Sequence, residues 1–284
     1  MKLLKQILLS MCAGALFLNI NAQSQSPDTT AKNATLQFKL SANYNTSLNY
    51  YGRTDSLKSS GFFPLGELWI TSNIYVSAAP IFVNNAVQKF EYAGAVTTIG
   101  YQNVTDKFIT GVYVSKPIYK ENSRLVQSAV KAQSGANLSF LNKFINLDIG
   151  GDVKISSKAD FGATGGFDHL IRILNENSSV LVFDPAFYVY AGSQNFQHSY
   201  YKKNSTGFLN LPGNNQLVTE EVSNFNILAY EFTVPVVYAK KKWTVVATPS
   251  YIVPQNLVTI PQRPDLSERG EKMFYATLTT KYTF

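Results

Sequence analysis

His169 and His198 are the only histidines in the chain, and imidazole is the side chain that most often serves as a general base near neutral pH. A hydrolase built on them would need a serine within hydrogen-bond reach. Ser199 is the sequence neighbour of His198, but successive residues of an extended chain point to opposite faces. His169 shares a face with Phe161, Ala163, Phe167 and Ile171, which reads as the aromatic rim of an apolar surface. Lipid hydrolysis is therefore a minor alternative, and the chain is not read as an enzyme. Metal chemistry has as little to stand on. Two distant histidines and a single cysteine, Cys12, leave only carboxylates, and no Asp-rich stretch has calcium-loop spacing. The glycines at 150–151 and 162–166 precede no helical pattern, so they are not phosphate loops and no cofactor is implied.

Ten charged residues offer more. Lys39, Lys131, Asp148, Asp152, Lys154, Asp160, Asp168, Arg172, Glu231 and Lys281 all fall on the polar side of alternating segments, five basic and five acidic. Brought together they would line a nearly neutral lumen. Their placement depends on period-two elements. Leu36, Phe38, Leu40, Ala42, Tyr44 and Leu48 oppose Gln37, Lys39, Ser41, Asn43, Asn45, Ser47 and Asn49. Ile145, Leu147, Ile149, Val153 and Ile155 likewise oppose Asn146, Asp148, Asp152 and Lys154. Such alternation marks strands with one apolar and one polar face. Twelve such strands are predicted, near 34–51, 60–71, 74–85, 93–103, 107–119, 127–141, 143–157, 159–173, 179–200, 224–239, 242–254 and 272–284, within a range of 10–14. Connections at 71–74, 103–107, 141–143, 173–179 and 239–242 are short. Those at 52–59, 86–92, 120–126, 157–159, 201–223 and 255–271 are mostly longer, and the two classes alternate. An even strand number with alternating short and long connections is the pattern of an antiparallel up-and-down transmembrane β-barrel, with both mature termini on the periplasmic, short-turn side.

Composition agrees. Of the 284 residues 45% are hydrophobic and 13% aromatic but only 15% charged, against about 25% in ordinary soluble domains. The positive charge is dispersed, which excludes a nucleic-acid stripe. Lys2 and Lys5, the apolar run Ile7 to Ile20 and a small-residue site after Ala22 predict a signal peptide over 1–22. A flexible periplasmic lead-in over 23–33 and the barrel over 34–284 follow. Removal of the leader takes away Cys12, so the mature chain has no thiol to oxidise.

The ending FYATLTTKYTF, with Tyr282 and the terminal Phe284, resembles the C-terminal strand signal that the barrel-assembly machinery reads in bacterial outer-membrane proteins. The leader end NINAQSQ is similar to those of exported Bacteroidota proteins. Together they resemble the porin-like outer-membrane β-barrel proteins of that phylum, which implies a Gram-negative outer membrane and its lipid as surroundings. Twelve strands at about 4.8 Å spacing and about 40° tilt give a backbone diameter near ~24 Å, narrow once side chains fill it. The expected function is a narrow or loop-gated porin-like channel for small solutes. The alternative is a closed structural or surface-binding barrel acting through its outer loops. Leu209, Leu211 and Leu217 fit 201–223 as an ordinary structured loop, with folding inward as a constriction or packing against an outside partner as alternatives, and Arg263, Asp265, Glu268 and Arg269 make 255–271 a solvated cap.

Overall fold

The computed structural model describes residues 36–54, 57–87, 89–120, 130–156, 159–176, 179–202, 216–257 and 267–284. The leader, the lead-in and the tip 203–215 lie outside the described residues. The strands are β1 (Gln37–Asn45), β2 (Asn49–Tyr50), β3 (Arg53–Thr54), β4 (Ser60–Trp69), β5 (Ile74–Asn84), β6 (Glu91–Val104), β7 (Phe108–Tyr119), β8 (Ala132–Phe140) and β9 (Asn146–Ile155). They continue as β10 (Ala159–Asp168), β11 (Ile171–Glu176), β12 (Ser179–Phe183), β13 (Ala186–Lys202), β14 (Gln216–Thr233), β15 (Val236–Lys240), β16 (Trp243–Pro254) and β17 (Met273–Thr283). Only β2 and β3 stand apart, as a two-stranded hairpin.

The other strands make one antiparallel ring of twelve staves. Three staves are broken in the middle: β10 continues as β11, β12 as β13, and β14 as β15. Pro185 and Pro235 mark two of the breaks, because proline has no N–H to give the ladder. The wall bends there without opening. His169 N donates to Pro185 O at 3.1 Å, Asp184 N to Pro235 O at 3.0 Å, and Val234 N to Pro249 O at 3.0 Å. The ring closes by pairing β1 with β17, from Lys39 opposite Thr283 to Asn45 opposite Thr277. Among the described residues every stave is hydrogen-bonded on both sides over part of its length, so the ring closes, which is what lets a sheet sit in hydrocarbon.

The alternation is inverted relative to a soluble barrel. Phe38, Leu147, Ile149, Phe161, Phe274 and Leu278 are exposed on the outside, while Asp148, Lys154, Asp168 and Glu231 are buried within. An apolar coat around a polar interior suits lipid outside. All twelve expected strands are present, with two corrections. The first ends at Asn45 rather than 51, and the segment after it turns into the ring. The 201–223 loop is shorter than expected, because β13 runs to Lys202 and β14 starts at Gln216. At about 3.3 Å per residue this hairpin outreaches a hydrocarbon layer of about 30 Å, so it projects beyond the long-loop end.

Candidate functional site

A cavity of about 400 Å³ lies inside the ring, reaching from Tyr51 at the long-loop end to Leu141 and Leu170 near the short turns. Its wall is made by inward positions of the staves, and three groups of side chains organise it. Under the long-loop mouth, Lys154 Nζ donates to Asp152 Oδ2 at 2.6 Å. Gln133 Nε2 donates to the same carboxylate at 3.3 Å and to the Tyr113 hydroxyl at 3.2 Å. On the β13–β14 side, Glu231 accepts from the hydroxyls of Tyr190, at 2.8 Å, and Tyr275. Toward the short turns, Asp148 accepts from Ser139 and Tyr188, and Asp168 accepts from Asn146 Nδ2 at 2.6 Å. Gly166 permits the Tyr188 contact, since a Cβ there would stand 2.2 Å from the tyrosine ring.

The mouth is crossed by the segment between β1 and β4. Its β2–β3 hairpin turns through Tyr51 and Gly52, both with positive φ (54° and 77°), the signature of a two-residue type I′ turn. Gly52 supplies that geometry freely, and a Cβ on it would press within 2.8 Å of Pro254. The turn aims Tyr51 at Tyr190, ring centroids 4.9 Å apart, and places Tyr50 5.7 Å from Lys154 Nζ in a cation–π contact. Lys154 belongs to β9, six staves from β1 in a ring of twelve. The loop therefore spans the lumen from one wall to the opposite one. Burial pushes the Tyr50 and Tyr51 hydroxyls above the usual tyrosine range, with Lys154 pulling the other way, and both stay protonated.

Arg53 latches the loop. It is 1% exposed, and its Nε donates to Glu268 Oε2 at 3.2 Å. Its terminal nitrogens donate to the backbone oxygens of Tyr51, Leu228 and Gln255 at 3.0–3.2 Å. Thr54 N donates to Arg269 O and Glu271 N to Gly52 O, so the last long loop adds a backbone clasp. Leu48, also 1% exposed, fills an inward apolar socket of Phe63, Ile81, Val83, Ala93 and Val96. Among the described residues the loop that folds inward is 46–59, while the tip of 201–223 lies outside them, and Glu268 clasps the inward loop rather than lying in a solvated cap.

Six of the ten charged residues read from the sequence line the cavity: Asp148, Asp152, Lys154, Asp168, Arg172 and Glu231. Lys39 instead lies 4.2 Å from the Trp69 ring centre at the closing seam, opposite buried Glu67, with Lys281 nearby on β17. Asp160 accepts from Ser193 Oγ at 3.2 Å, and Lys131 is exposed just before β8. Sequence reasoning missed Asp184, Glu67 and Arg53. Asp184 falls on the inward parity of Val182 and Ala186, a signal hidden by the break at Pro185. With Asp184 added, the cavity wall carries five acids against two bases, so it is acidic rather than neutral. His169 is exposed at the β10–β11 break, and the His198 backbone stands opposite Glu220 in the projecting hairpin. No cluster of histidine and carboxylates able to hold a metal occurs among the described residues.

No protein-family model and no curated protein matches the chain. Solved structures do. An outer membrane channel from Pseudomonas putida F1 aligns over 92% of this chain and 100% of its own, at 11% identity and a TM-score of 0.50. The chain folds as an outer-membrane β-barrel. LpxR from Salmonella typhimurium covers 87% of the chain at 8% identity and a TM-score of 0.42, and the NanC porin 86% at 11% and 0.41. LpxR and NanC align over 100% and 98% of their own lengths. At 11% identity the likeness to the Pseudomonas channel concerns the fold alone.

Proposed function

We propose that the protein is a narrow, porin-like channel of the outer membrane, gated by its own first long loop and passing small solutes. The observation that carries this reading is a cavity of about 400 Å³, walled by carboxylates, hydroxyls and amides set among apolar carbon, whose mouth is bridged by one latched loop. A barrel serving only as scaffold would be expected to fill such a space with packed side chains. Carboxylates, hydroxyls and amides along the wall suit a wet path instead. On this reading residues 1–22 are a signal peptide of Bacteroidota type, 23–33 a lead-in, and the short-turn end with both mature termini is periplasmic. Outer-membrane lipid contacts the apolar coat, and Tyr282 and Phe284 address the barrel-assembly machinery. On this reading the wall has no catalytic part, and the exposed His169 at a stave break suits a membrane interface.

Planar-bilayer conductance tests the reading. The purified barrel is expected to give small, brief openings. Arg53→Ala, which removes the latch, is expected to lengthen and enlarge them, whereas deletion of 203–215 should change them little. A silent bilayer from folded wild type and folded Arg53→Ala alike would overturn the channel reading and leave the closed structural or surface-binding barrel in its place.

A further inference from the structure

The cavity beneath the loop holds hydrogen-bond acceptors that no described group satisfies. Gln133 is 3% exposed, and while its Nε2 is engaged, its Oε1 has no donor among the described residues. Toward the short turns Asp184 Oδ1 is buried in the same condition. Asp168 there lies between Asp148 and Asp184 and touches both, three carboxyl groups in a row. The ion pairs among the described residues bring no base to them: Arg53 is committed to Glu268, Lys58 to Glu271, and Lys154 to Asp152. Arg172, the second base of the wall, makes none of these pairs. Buried acceptors without donors and like charges without a counter-charge are both unfavourable states, and one kind of guest relieves both. That guest is positively charged and rich in N–H.

The rest of the wall fits the same guest. Tyr51, Tyr113, Tyr188, Tyr190 and Tyr275 line the cavity, and tyrosine rings offer negative faces to an ammonium. Asp148 and Asp152 both point inward from β9, four residues apart, which is about 13 Å along a strand. A guest with donors at both ends can therefore meet the carboxyl cluster with one end and turn the other toward Gln133 near Asp152. A neutral polyol would satisfy the acceptors but leave the carboxylates uncompensated, and an anion would be repelled.

We infer that the cavity is a binding station for a small linear organic cation with ammonium groups, held by Asp148, Asp168 and Asp184 at one end and by Gln133 Oε1 at the other. This deepens the channel reading and rests on it for the route by which the solute arrives. Equilibrium binding separates the two. Three probes of matched length, long enough to approach a span of about 13 Å, are titrated calorimetrically into the detergent-solubilised full chain: 1,8-diaminooctane, 1,8-octanediol and octanedioate. The diamine is expected to bind at least about tenfold more tightly than the diol, and octanedioate not at all. Asp184→Asn and Gln133→Leu should each weaken the diamine by about tenfold, while Asp106→Asn, in an exposed turn, should not. Folding is checked by heat-dependent gel mobility, and Asp168→Asn replaces Asp184→Asn if the latter does not fold. Equal binding of diol and diamine, preference for octanedioate, no saturable binding, or variants that bind as wild type would each overturn the inference. A barrel that binds the diamine yet stays silent in bilayers would support this station and overturn the channel. One that conducts without binding would do the reverse.

Discussion

Leu147 and Asn146 are neighbours in the chain and opposites in environment. Leu147 is 53% exposed on the apolar coat, while Asn146 points inward and donates to Asp168. Leu147→Arg places a guanidinium in hydrocarbon, and near the bilayer midplane that costs roughly 2–4 kcal/mol. Asn146→Arg brings the same group to Asp148 and Asp168, where it loses one hydrogen bond and gains carboxylate partners. Its effect on stability should be a fraction of that of Leu147→Arg, and of either sign. Unfolding of vesicle-embedded protein in denaturant measures both, and similar losses would contradict the assigned faces. This pair was legible in the sequence because period two translates directly into inside and outside. Arg53 was not, since a buried arginine in a connection has no periodicity to betray it. Its environment is made by Glu268 and by carbonyls more than a hundred residues away.

At the level of elements, the inward loop is the part that the alternation misreads. Tyr44 and Leu48 share a parity, so the pattern runs past Asn45 as if the strand continued and Leu48 faced lipid. The hairpin instead turns inward, and Leu48 enters a socket on the interior of β4, β5 and β6. That socket is itself an exception, because Phe63, Ile81 and Val83 are apolar residues on the lumen side. A barrel needs apolar interior positions only where something apolar is docked, and here the docked group is the loop. Trimming Leu48→Ala should cost about 2–5 kcal/mol of loop docking by the usual transfer and cavity terms. Because the stave ladder does not include the loop, the loss should stay local. Limited proteolysis should cut Leu48→Ala within 46–59 far faster than wild type, with the barrel's own unfolding midpoint almost unmoved. Twelve staves and two classes of connection could be read in advance because each stave's fold is set by its own pattern. The docked loop could not, because its position is set by a pocket that exists only once the ring has closed.

For the whole molecule the decisive feature is that closure. Lys39 to Asn45 of β1 pair in register with Thr283 to Thr277 of β17, and Phe284 N reaches on to Phe38 O at 3.0 Å. Phe38, Phe284, Tyr282 and Trp243 then form an aromatic chain on the seam, with ring centres 4.8–5.4 Å apart. The seam joins elements more than two hundred residues apart, so it forms late and its register is the strictest test of the fold. The chain offers a clean way to probe it, because Cys12 in the leader is its only cysteine. Ala42 stands opposite Thr280, and opposed residues in an antiparallel pair have Cα atoms about 4.5–5.5 Å apart, within the span a disulfide bridges. In mature protein carrying Ala42→Cys with Thr280→Cys, mild oxidation should link the two ends and leave a species that cannot fully extend on boiling until reductant is added. Ala42→Cys with Thr277→Cys, three positions off register and facing away, should link poorly. Equal linking of the two pairs would show that the ends meet loosely or not at all. Linking of the registered pair alone would show a ring closed at the seam in this register, with β1 and β17 held edge to edge along its length.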